Sequence, residues 1–418
     1  MQKNSSRNAE AEISLAFVGS LAPEIDSMKY PAFNPAGNLF QKRLLCSLRQ
    51  NCMEANFICS GAPVPSFPRM RKLWFKSCKT KLEEGFLINQ LPFINLGILK
   101  TITIGLGAFC SLLLWGIRER NQVSKVIITY NVSYPHALFV LPAARLIGAK
   151  VVAVVADLWA PQNQSSVVRK MDFWLQTRSL RYYDGLIVLT EHMVRDFAPK
   201  VPFIKMNGAL PAHELKILAD ISVNQSQDKS TFTIMYAGDL SEHRVRLLLD
   251  AFRCLTEPHY RLLISGRGPL ENEVSTAAQS DKRITFPGYL NSYRAVLDLY
   301  QDADVLINAQ QSRFPASRYT FPSKLIEYMA TGRPVISTCT AGVKEEFSEF
   351  IFLLEEETPE GLARLIQRIE KLSLSQRLDL GRIARSYILE NKTWEIQGSR
   401  IAEFIKKLTV KTDITCKK

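Results

Sequence analysis

The residues best suited to chemistry lie in segment 318–337, which reads RYTFPSKLIEYMATGRPVIS. Pro322 is typical of the first turn of a helix, where free backbone N–H groups and the positive end of the dipole bind phosphate. Ser323 and Lys324 lie at this start, and Lys324 adds a full positive charge. Glu327, one turn further, can accept hydrogen bonds from ribose hydroxyls. The segment predicts a nucleotide-phosphate site, although an ordinary capped helix between two strands explains the same spacing equally well.

Two glycine-containing turns also open predicted helices. Arg267 lies between Gly266 and Gly268, ahead of a proline suited to the first helical position. On its own this turn is only a weak indication of a nucleotide. Gly37 and Asn38 open a helix in the first half of the chain, where glycine lets the backbone approach a ligand closely. A plain N-cap explains this second pair equally well.

Two further polar residues follow predicted strands in the first half. His136 opens a helix after a strand, and a structural histidine explains it at least as well as a contact with a ligand. Asp157 ends the apolar strand 151–156, where a carboxylate at the strand end needs a reason. We expect Asp157 to bind a ligand at this strand end, and not to cap the helix that begins near Val167.

The elements that position these residues are short runs rich in Val and Ile, separated by helical patterns. Continuous apolar runs indicate strands covered on both faces, and therefore parallel sheets. The pattern occurs twice and predicts an α/β protein of two doubly wound domains, which bind ligands outside the carboxyl ends of their strands. We predict domains over 1–210 and 231–390, a linker over 211–230, and a C-terminal helix over 391–418 that packs back towards the first domain.

Composition and charge narrow the function classes. The chain has 418 residues, 46% hydrophobic and 22% charged, which is typical of a globular protein. Its eight cysteines form no CxxC pair, which argues against a metal ribbon or a disulfide framework. Residues 1–210 hold 25 Lys and Arg against 13 Asp and Glu, and so carry +12 of the net +13. Only the first half is therefore expected to face an anionic partner.

Segment 69–117 has the composition of a membrane-docking region. Six cations and no acid lie between Arg69 and Lys81, interleaved with Trp74 and other apolar residues. Thr101–Ile117 is an uncharged run of 17 residues, at the lower limit of what spans a bilayer. We expect a buried or surface-docked segment and a peripheral place at the cytoplasmic face of a membrane. A true span is the alternative.

Segment 318–337 resembles the donor-nucleotide motif of GT-B glycosyltransferases, in particular the retaining glycosyltransferase family 4, or glycosyl transferases group 1. Segment 236–252, YAGDLSEHRVRLLLDAF, resembles the first strand, phosphate loop and helix of that family's second domain. Segment 262–274, LLISGRGPLENEV, resembles its glycine turn, and segments 284–310 and 341–347 agree in order and spacing. The resemblance implies a GT-B fold, with two Rossmann-like domains facing an interdomain crevice.

Some positions depart from the family pattern. Tyr319 stands where the family usually has a second acidic residue, which puts the identity of the donor sugar in doubt. Asp239 follows Gly238 where an Arg is usual, and the next loop offers His243 and Arg244 where a Lys is usual.

The resemblance implies transfer of a sugar from a nucleotide diphosphate sugar to a lipid-linked or polysaccharide acceptor, with retention of configuration. It implies no metal or other cofactor, because cationic side chains stabilise the diphosphate, and the expected partners are the donor, the acceptor and an anionic membrane surface. The implied catalytic residues are Asp157, Lys324 and Arg244. The implied donor-binding residues are Gly238, Arg267, Tyr319, Ser323, Lys324 and Glu327. The acceptor-side candidates are Gly37, Asn38 and His136.

Three other functions deserve comparison. A nucleotide-sugar 2-epimerase has two domains of this kind, but it needs several acid–base side chains of which few are present. A non-catalytic membrane scaffold is suggested by Tyr319 and Asp239, whereas Lys324 and Glu327 argue against it. A nucleic-acid binder would explain the charge, but no nucleic-acid motif is present, and the basic residues adjoin a long apolar run.

Overall fold

Runs of Val and Ile form the central strands of two parallel sheets, as the sequence predicts. The computed structural model describes residues 13–23, 32, 34–132, 136–156, 158, 167–221, 230–290 and 292–410. Two compact units make up the chain. Unit 1 comprises Met1–Val188, Met193–Lys205 and Gln397–Lys418, and unit 2 comprises Leu189–His192 and Met206–Ile396.

Within the described residues, ten strands and five α-helices precede residue 206. The strands are β1 (Ile13–Gly19), β2 (Ala55–Ser60), β3 (Trp74–Phe75), β4 (Cys78–Lys81), β5 (Leu87–Gln90), β6 (Phe93–Ile94), β7 (Ser124–Tyr130), β8 (Lys150–Val155), β9 (Gly185–Val188) and β10 (Phe203–Lys205). The helices are α1 (Pro35–Gln50), α2 (Gly97–Arg118), α3 (Leu141–Leu146), α4 (Val167–Ser179) and α5 (His192–Phe197). A π-helical turn over His136–Val140 leads into α3.

The main sheet of unit 1 has eight strands in the order β10-β9-β8-β7-β1-β2-β5-β4. All neighbouring pairs are parallel except β4 and β5, which form an antiparallel edge. Val126, Ile127 and Ile128 in the middle of β7 are fully buried. Burial on both faces explains why these strands are uninterrupted apolar runs.

Unit 2 contains a second, smaller parallel sheet. Its strands are β11 (Phe232–Asp239), β12 (Tyr260–Arg267), β13 (Ile284–Thr285), β14 (Val305–Asn308), β15 (Val335–Thr338) and β16 (Phe352–Leu354). Its helices are α6 (Ala212–Ile221), α7 (Glu242–Cys254), α8 (Glu271–Ser280), α9 (Tyr293–Asp302), α10 (Lys324–Ala330), α11 (Val343–Phe347), α12 (Pro359–Glu370) and α13 (Leu374–Asn391). The strand order is β13-β12-β11-β14-β15-β16. This doubly wound order places β11 at the centre of the sheet.

The predicted linker over 211–230 differs from the structure. Its first half forms α6, which buries Leu215 and Leu218 in the core of unit 2. These two leucines have helical spacing, but the many polar neighbours hide the periodicity in the sequence. Residues 222–229 lie outside the described part of the chain.

The C-terminal helix α14 (Trp394–Thr409) begins in unit 2, and from Gln397 onward it belongs to unit 1. Gly398 lies against α1, where an added Cβ would come within 2.5 Å of the Ser47 Cβ. Further along, Leu408 packs against Gly185 at the start of β9, where the corresponding distance is also 2.5 Å. Glycine at both positions therefore permits this close packing.

Candidate functional site

A cavity of about 480 Å³ opens in unit 2 at the carboxyl ends of β11 and β12. In doubly wound sheets this is the edge at which ligands bind. Its lining residues are Ala237, Gly238, Asp239, Ser265, Gly266, Arg267, Tyr289, Leu290, Val296 and Lys324. Among the predicted donor-site residues, Gly238, Arg267 and Lys324 are therefore brought together.

Two paired glycines form part of the cavity wall. Gly238 of β11 and Gly266 of β12 are register partners. A Cβ on Gly266 would lie 1.8 Å from the Gly238 carbonyl oxygen, and the φ of Gly266 is 152°, which side chains rarely permit. The strands therefore approach each other where no side chain fits, and their backbone is left open to the cavity.

Two cations line this cavity. Lys324 is the first residue of α10, and its side chain is 40% exposed. Arg267 ends β12, and its guanidinium lies 4.3 Å from the centre of the Tyr289 ring. Because α10 has only seven residues, its N-terminus adds little, and the positive potential of the cavity comes mainly from these two side chains, with the Lys324 charge partly offset by the Glu327 carboxylate 2.7 Å away. Ser323 occupies the N-cap position of α10 but makes no side-chain capping bond.

Glu327 is held in place by two neighbours. Its Oε1 accepts a hydrogen bond of 2.8 Å from the Tyr300 hydroxyl, and its Oε2 lies 2.7 Å from the Lys324 ammonium. The carboxylate is thus fixed beside Lys324, with which it forms an ion pair. Lys324 lines the cavity, whereas Glu327 is itself buried and is not among the lining residues. Tyr300 could not be predicted as part of this cluster from the sequence, because its position on α9 has the apolar spacing of a core residue.

Tyr328 attaches α10 to the strand that carries the cavity. Its hydroxyl accepts a bond of 2.9 Å from the Ala237 N–H and donates one of 2.9 Å to the Ala237 carbonyl. The ladder between β11 and β14 pairs residues only as far as Met235, so the Tyr328 hydroxyl bonds the β11 backbone just beyond the point where this pairing ends. Burial raises the pKa of Tyr328 well above its usual range, which keeps the hydroxyl a neutral donor.

Arg244 stands in a different relation to the cavity from the predicted one. It belongs to the first turn of α7 and does not line the cavity. Its Nε is 3.6 Å from the Asp239 carboxylate, which does line the cavity, so the two departures from the family pattern pair with each other. Burial lowers the pKa of the neighbouring His243, which therefore adds little positive charge at neutral pH.

Tyr319 is half-buried and follows the 3-10 helix Pro315–Arg318. It is not among the residues that line the cavity. Its predicted role in donor binding remains a prediction.

The candidates on the acceptor side lie in unit 1. Helix α1 begins at Pro35 with Asn34 as its N-cap, so Gly37 and Asn38 lie within the first turn and are not the cap. The Asn38 Oδ1 accepts a bond of 3.0 Å from the Ala22 N–H, and this bond holds the segment after β1. An added Cβ at position 37 would lie 3.1 Å from the Tyr130 hydroxyl, a tight contact that the tyrosine side chain would have to relieve. The structural role is thus visible, and the acceptor role remains a prediction.

Two further predicted residues follow strands of unit 1: the acceptor-side candidate His136 and the catalytic candidate Asp157. His136 is the first residue of the π-helical turn, as predicted for a residue that opens a helix. Asp157 lies outside the described residues. Within the part of the chain that the structure describes, no group of three or more His, Cys, Asp or Glu side chains could hold a metal ion.

Part of unit 2 matches a known protein family, and part of the chain resembles a curated bacterial protein. Residues 231–371 match the family model described as Glycosyl transferases group 1. The putative colanic acid biosynthesis glycosyltransferase WcaL of Escherichia coli (strain K12) is 25% identical over 185 residues, which is 42% of this chain. The matched part spans 45% of that relative, so less than half of its length is shared.

Solved structures resemble the chain over nearly its whole length. Sucrose-phosphate synthase from Thermosynechococcus elongatus has a TM-score of 0.64 at 16% identity, over 94% of this chain and 99% of its own. Anabaena HepE, solved in complex with UDP, has a TM-score of 0.64 at 13% identity, over 94% and 100%. The lipopolysaccharide outer core galactosyltransferase WaaB, in its apo form, has a TM-score of 0.60 at 14% identity, over 94% and 99%. At these identities the likeness shows the fold.

The resemblance predicted from the sequence is confirmed. Residues 231–371 carry a Glycosyl transferases group 1 domain, and the chain has the fold of GT-B glycosyltransferases, consistent with two Rossmann-like domains. The curated relative is named a glycosyltransferase, and the matched domain carries the name of a glycosyltransferase family.

Proposed function

We propose that this GT-B glycosyltransferase binds a nucleoside diphosphate sugar in the cavity of its group 1 domain and transfers the sugar with retention of configuration. One observation carries the proposal. The glycine-walled cavity at the carboxyl ends of β11 and β12 brings together the cations Arg267 and Lys324, as an anionic ligand requires.

The reaction follows from the charge in the cavity. When the bond between the sugar and the diphosphate breaks, negative charge develops on the leaving phosphate oxygens. Fixed cations stabilise this charge better than water does, because they need no reorganisation during the reaction. Lys324 and Arg267 supply this stabilisation in the proposal, so that the mechanism needs no metal ion or other cofactor.

Glu327 is proposed to bind the ribose of the donor. Its two oxygens already accept bonds from Tyr300 and Lys324, but a carboxylate offers about four acceptor sites. The ribose hydroxyls can therefore donate to the remaining sites. Tyr300 fixes the direction of the carboxylate, so that these sites do not depend on the Lys324 ammonium alone.

The acceptor is proposed to be lipid-linked or a growing surface polysaccharide. Support comes from two proteins with related functions: WcaL is named for colanic acid biosynthesis and WaaB for the lipopolysaccharide outer core. Gly37, Asn38, His136 and Asp157 are the proposed acceptor-side residues. Among them, Asp157 is proposed to contact the reacting acceptor hydroxyl or the transferred sugar.

A donor-dependent turnover assay tests the proposal. Purified protein is incubated with a panel of nucleoside diphosphate sugars and a bacterial lipid extract as acceptor source, and released nucleoside diphosphate is measured. We expect release from one donor, increased by the extract, with a product whose anomeric proton shows the configuration of the donor by NMR. An inverted product would contradict retention.

Two other outcomes would contradict transfer itself. Conversion of the donor to its 2-epimer, without transfer of sugar to the lipid, would identify an epimerase. Failure of the folded protein to consume any donor would favour a scaffold with a degenerate site.

A further inference from the structure

We propose that unit 1 docks on an anionic lipid bilayer with α2 lying parallel to the membrane plane. The docking surface comprises the outer face of α2, the exposed leucines of the adjoining helical segment 136–147, and the basic segment 67–81. This surface belongs to unit 1, so the proposal does not depend on the nucleotide cavity of unit 2.

The outer face of α2 is apolar over its whole length. The helix has 22 residues and is therefore about 33 Å long, at roughly 1.5 Å per residue. Between Lys100 and Arg118 it carries no charge. Ile98 is 77% exposed at one end and Ile117 is 62% exposed at the other, and Leu99, Leu106 and Leu114 are exposed along the same helix. An exposed apolar patch of this length indicates a site that contacts another protein or a membrane.

The inner face of α2 is fixed lengthwise to the rest of unit 1. A Cβ on Gly105 would lie 2.1 Å from the Phe139 ring, and one on Gly116 would lie 2.5 Å from the Ile147 side chain. Near its C-terminal end, the Trp115 Nε1 donates a bond of 3.0 Å to the Asn56 Oδ1. By length and composition, α2 is the one helix within the described residues that could cross a membrane.

Crossing a bilayer would surround α2 with lipid and break the contacts of its inner face. A helix with one face packed on a domain and the opposite face apolar fits an in-plane orientation, in which only the outer face enters the lipid. The same segment that packs on α2 also extends its apolar surface. Leu138 and Leu146, each adjacent in sequence to a residue that packs on a glycine of α2, are exposed.

The basic segment is attached beside the N-terminal half of α2. Strand β3 within it pairs with β6, whose Ile94 N–H donates a bond of 3.1 Å to the Thr103 hydroxyl of α2. The Asn95 side chain donates to the carbonyls of Pro65 and Lys72 at 3.2 and 3.1 Å, which fixes the turn that precedes β3. The cations and the apolar helix are therefore parts of one surface.

The cations of this segment are exposed, and no acidic residue lies among them in the sequence. All six cations are exposed, and so are Leu73 and Trp74 between them. The six cations are Arg69, Arg71, Lys72, Lys76, Lys79 and Lys81. The next acids along the chain, Glu83 and Glu84, lie 2.6 and 3.2 Å from the buried Lys42 ammonium and so face a different cation.

This charge selects an anionic bilayer over a second copy of the chain. A two-fold interface would bring the same surface of two copies together, and would gather twelve cations in one contact area with no acid of this segment to balance them. An anionic membrane attracts the cations instead, each contributing roughly a fivefold increase in partitioning. Exposed tryptophan beside the cations is typical of the headgroup region.

Vesicle flotation of the full chain tests the proposal. The vesicles are made of phosphatidylcholine alone, or of phosphatidylcholine with about one third phosphatidylglycerol. We expect flotation with the anionic vesicles at low salt and weaker flotation at high salt, because salt screens the attraction. The test variant replaces four cations by Gln: Arg69, Arg71, Lys72 and Lys76.

The four-cation variant should bind anionic vesicles at least 50-fold more weakly than the wild type. A matched control removes four exposed cations of unit 2, Lys282, Lys344, Lys371 and Arg382, and should bind as the wild type does. A second variant, Leu106→Ser with Leu114→Ser, should lose the part of the binding that persists at high salt. Unchanged thermal unfolding shows that the variants fold.

Several results would overturn the proposal. The first is that wild-type protein does not float with anionic vesicles at low salt. The second is that the control variant loses as much binding as the test variant. A dimer in sedimentation without vesicle binding would assign the surface to a second copy. Wild-type protein that resists both high salt and carbonate extraction would show that α2 spans the membrane.

Discussion

Lys324→Ala is expected to reduce kcat for sugar transfer by about 10²–10³-fold, the loss that follows removal of one group stabilising a developing negative charge. Lys324 lines the cavity, and its charge acts more strongly on the leaving diphosphate than on the bound donor. Donor-dependent release of nucleoside diphosphate gives kcat and KM separately, so a loss confined to the transition state appears mainly in kcat.

A matched control uses another lysine of the same unit. Lys282 is exposed and lies outside the cavity, so Lys282→Ala should keep the wild-type kcat. Unchanged turnover in Lys324→Ala, or an equal loss in the control, would place the donor site elsewhere.

Gly266→Ala should destabilise unit 2 by about 3 kcal/mol or more and abolish donor binding. The added Cβ would lie 1.8 Å from the Gly238 carbonyl oxygen, so β11 and β12 must separate at the cavity. Overpacking of this kind costs about 1–3 kcal/mol, and a side chain at a φ of 152° adds about 1–3 kcal/mol of strain. Thermal unfolding measures the loss of stability.

Gly342→Ala separates the clash from the backbone strain. Gly342 has a φ of 78°, but an added Cβ there would meet nothing within 4 Å. This control should cost only about 1–2 kcal/mol, as expected for a residue forced into the left-handed region. If Gly266→Ala is no more destabilising than Gly342→Ala, the close approach of the two strands is not as described.

The central strands were predictable because both of their faces are buried among apolar residues. Strands such as β1, β7 and β8 are buried on both faces, so each one is a continuous apolar run in the sequence. Strands β2 to β6 were not predicted. Strands β2, β4 and β5 hold charged or amide residues, and strands β3 and β6 have only two residues each, so no continuous apolar run or period of two can be recognised.

The candidate site was predictable where its signal is local. Lys324 follows a proline close to a helix start, and Arg267 stands between glycines, so local patterns mark both as candidates, although each pattern also has an ordinary structural explanation. The contacts from Tyr300 to Glu327 and from Tyr328 to Ala237 join residues 27 and 91 positions apart. Such pairs depend on how α9, α10 and β11 pack, which no local pattern indicates.

The two departures from the family pattern illustrate the same limit. Asp239 and Arg244 are each unexpected at their positions, and the sequence offers no reason for either. In the structure the Asp239 carboxylate lies 3.6 Å from the Arg244 Nε, so the two residues form an ion pair. The charge available to a ligand therefore comes from Lys324 and Arg267, which line the cavity.

Titration calorimetry with UDP, the nucleotide present in a structural neighbour, tests the central claim most directly, with ADP and GDP as alternatives. We expect one nucleoside diphosphate to bind the wild type at one site, Lys324→Ala to bind it at least tenfold more weakly, and Lys282→Ala to bind it normally. Absence of binding by all three nucleotides to the folded wild type, or binding that Lys324→Ala leaves unchanged, would contradict the assignment of this cavity as the donor site.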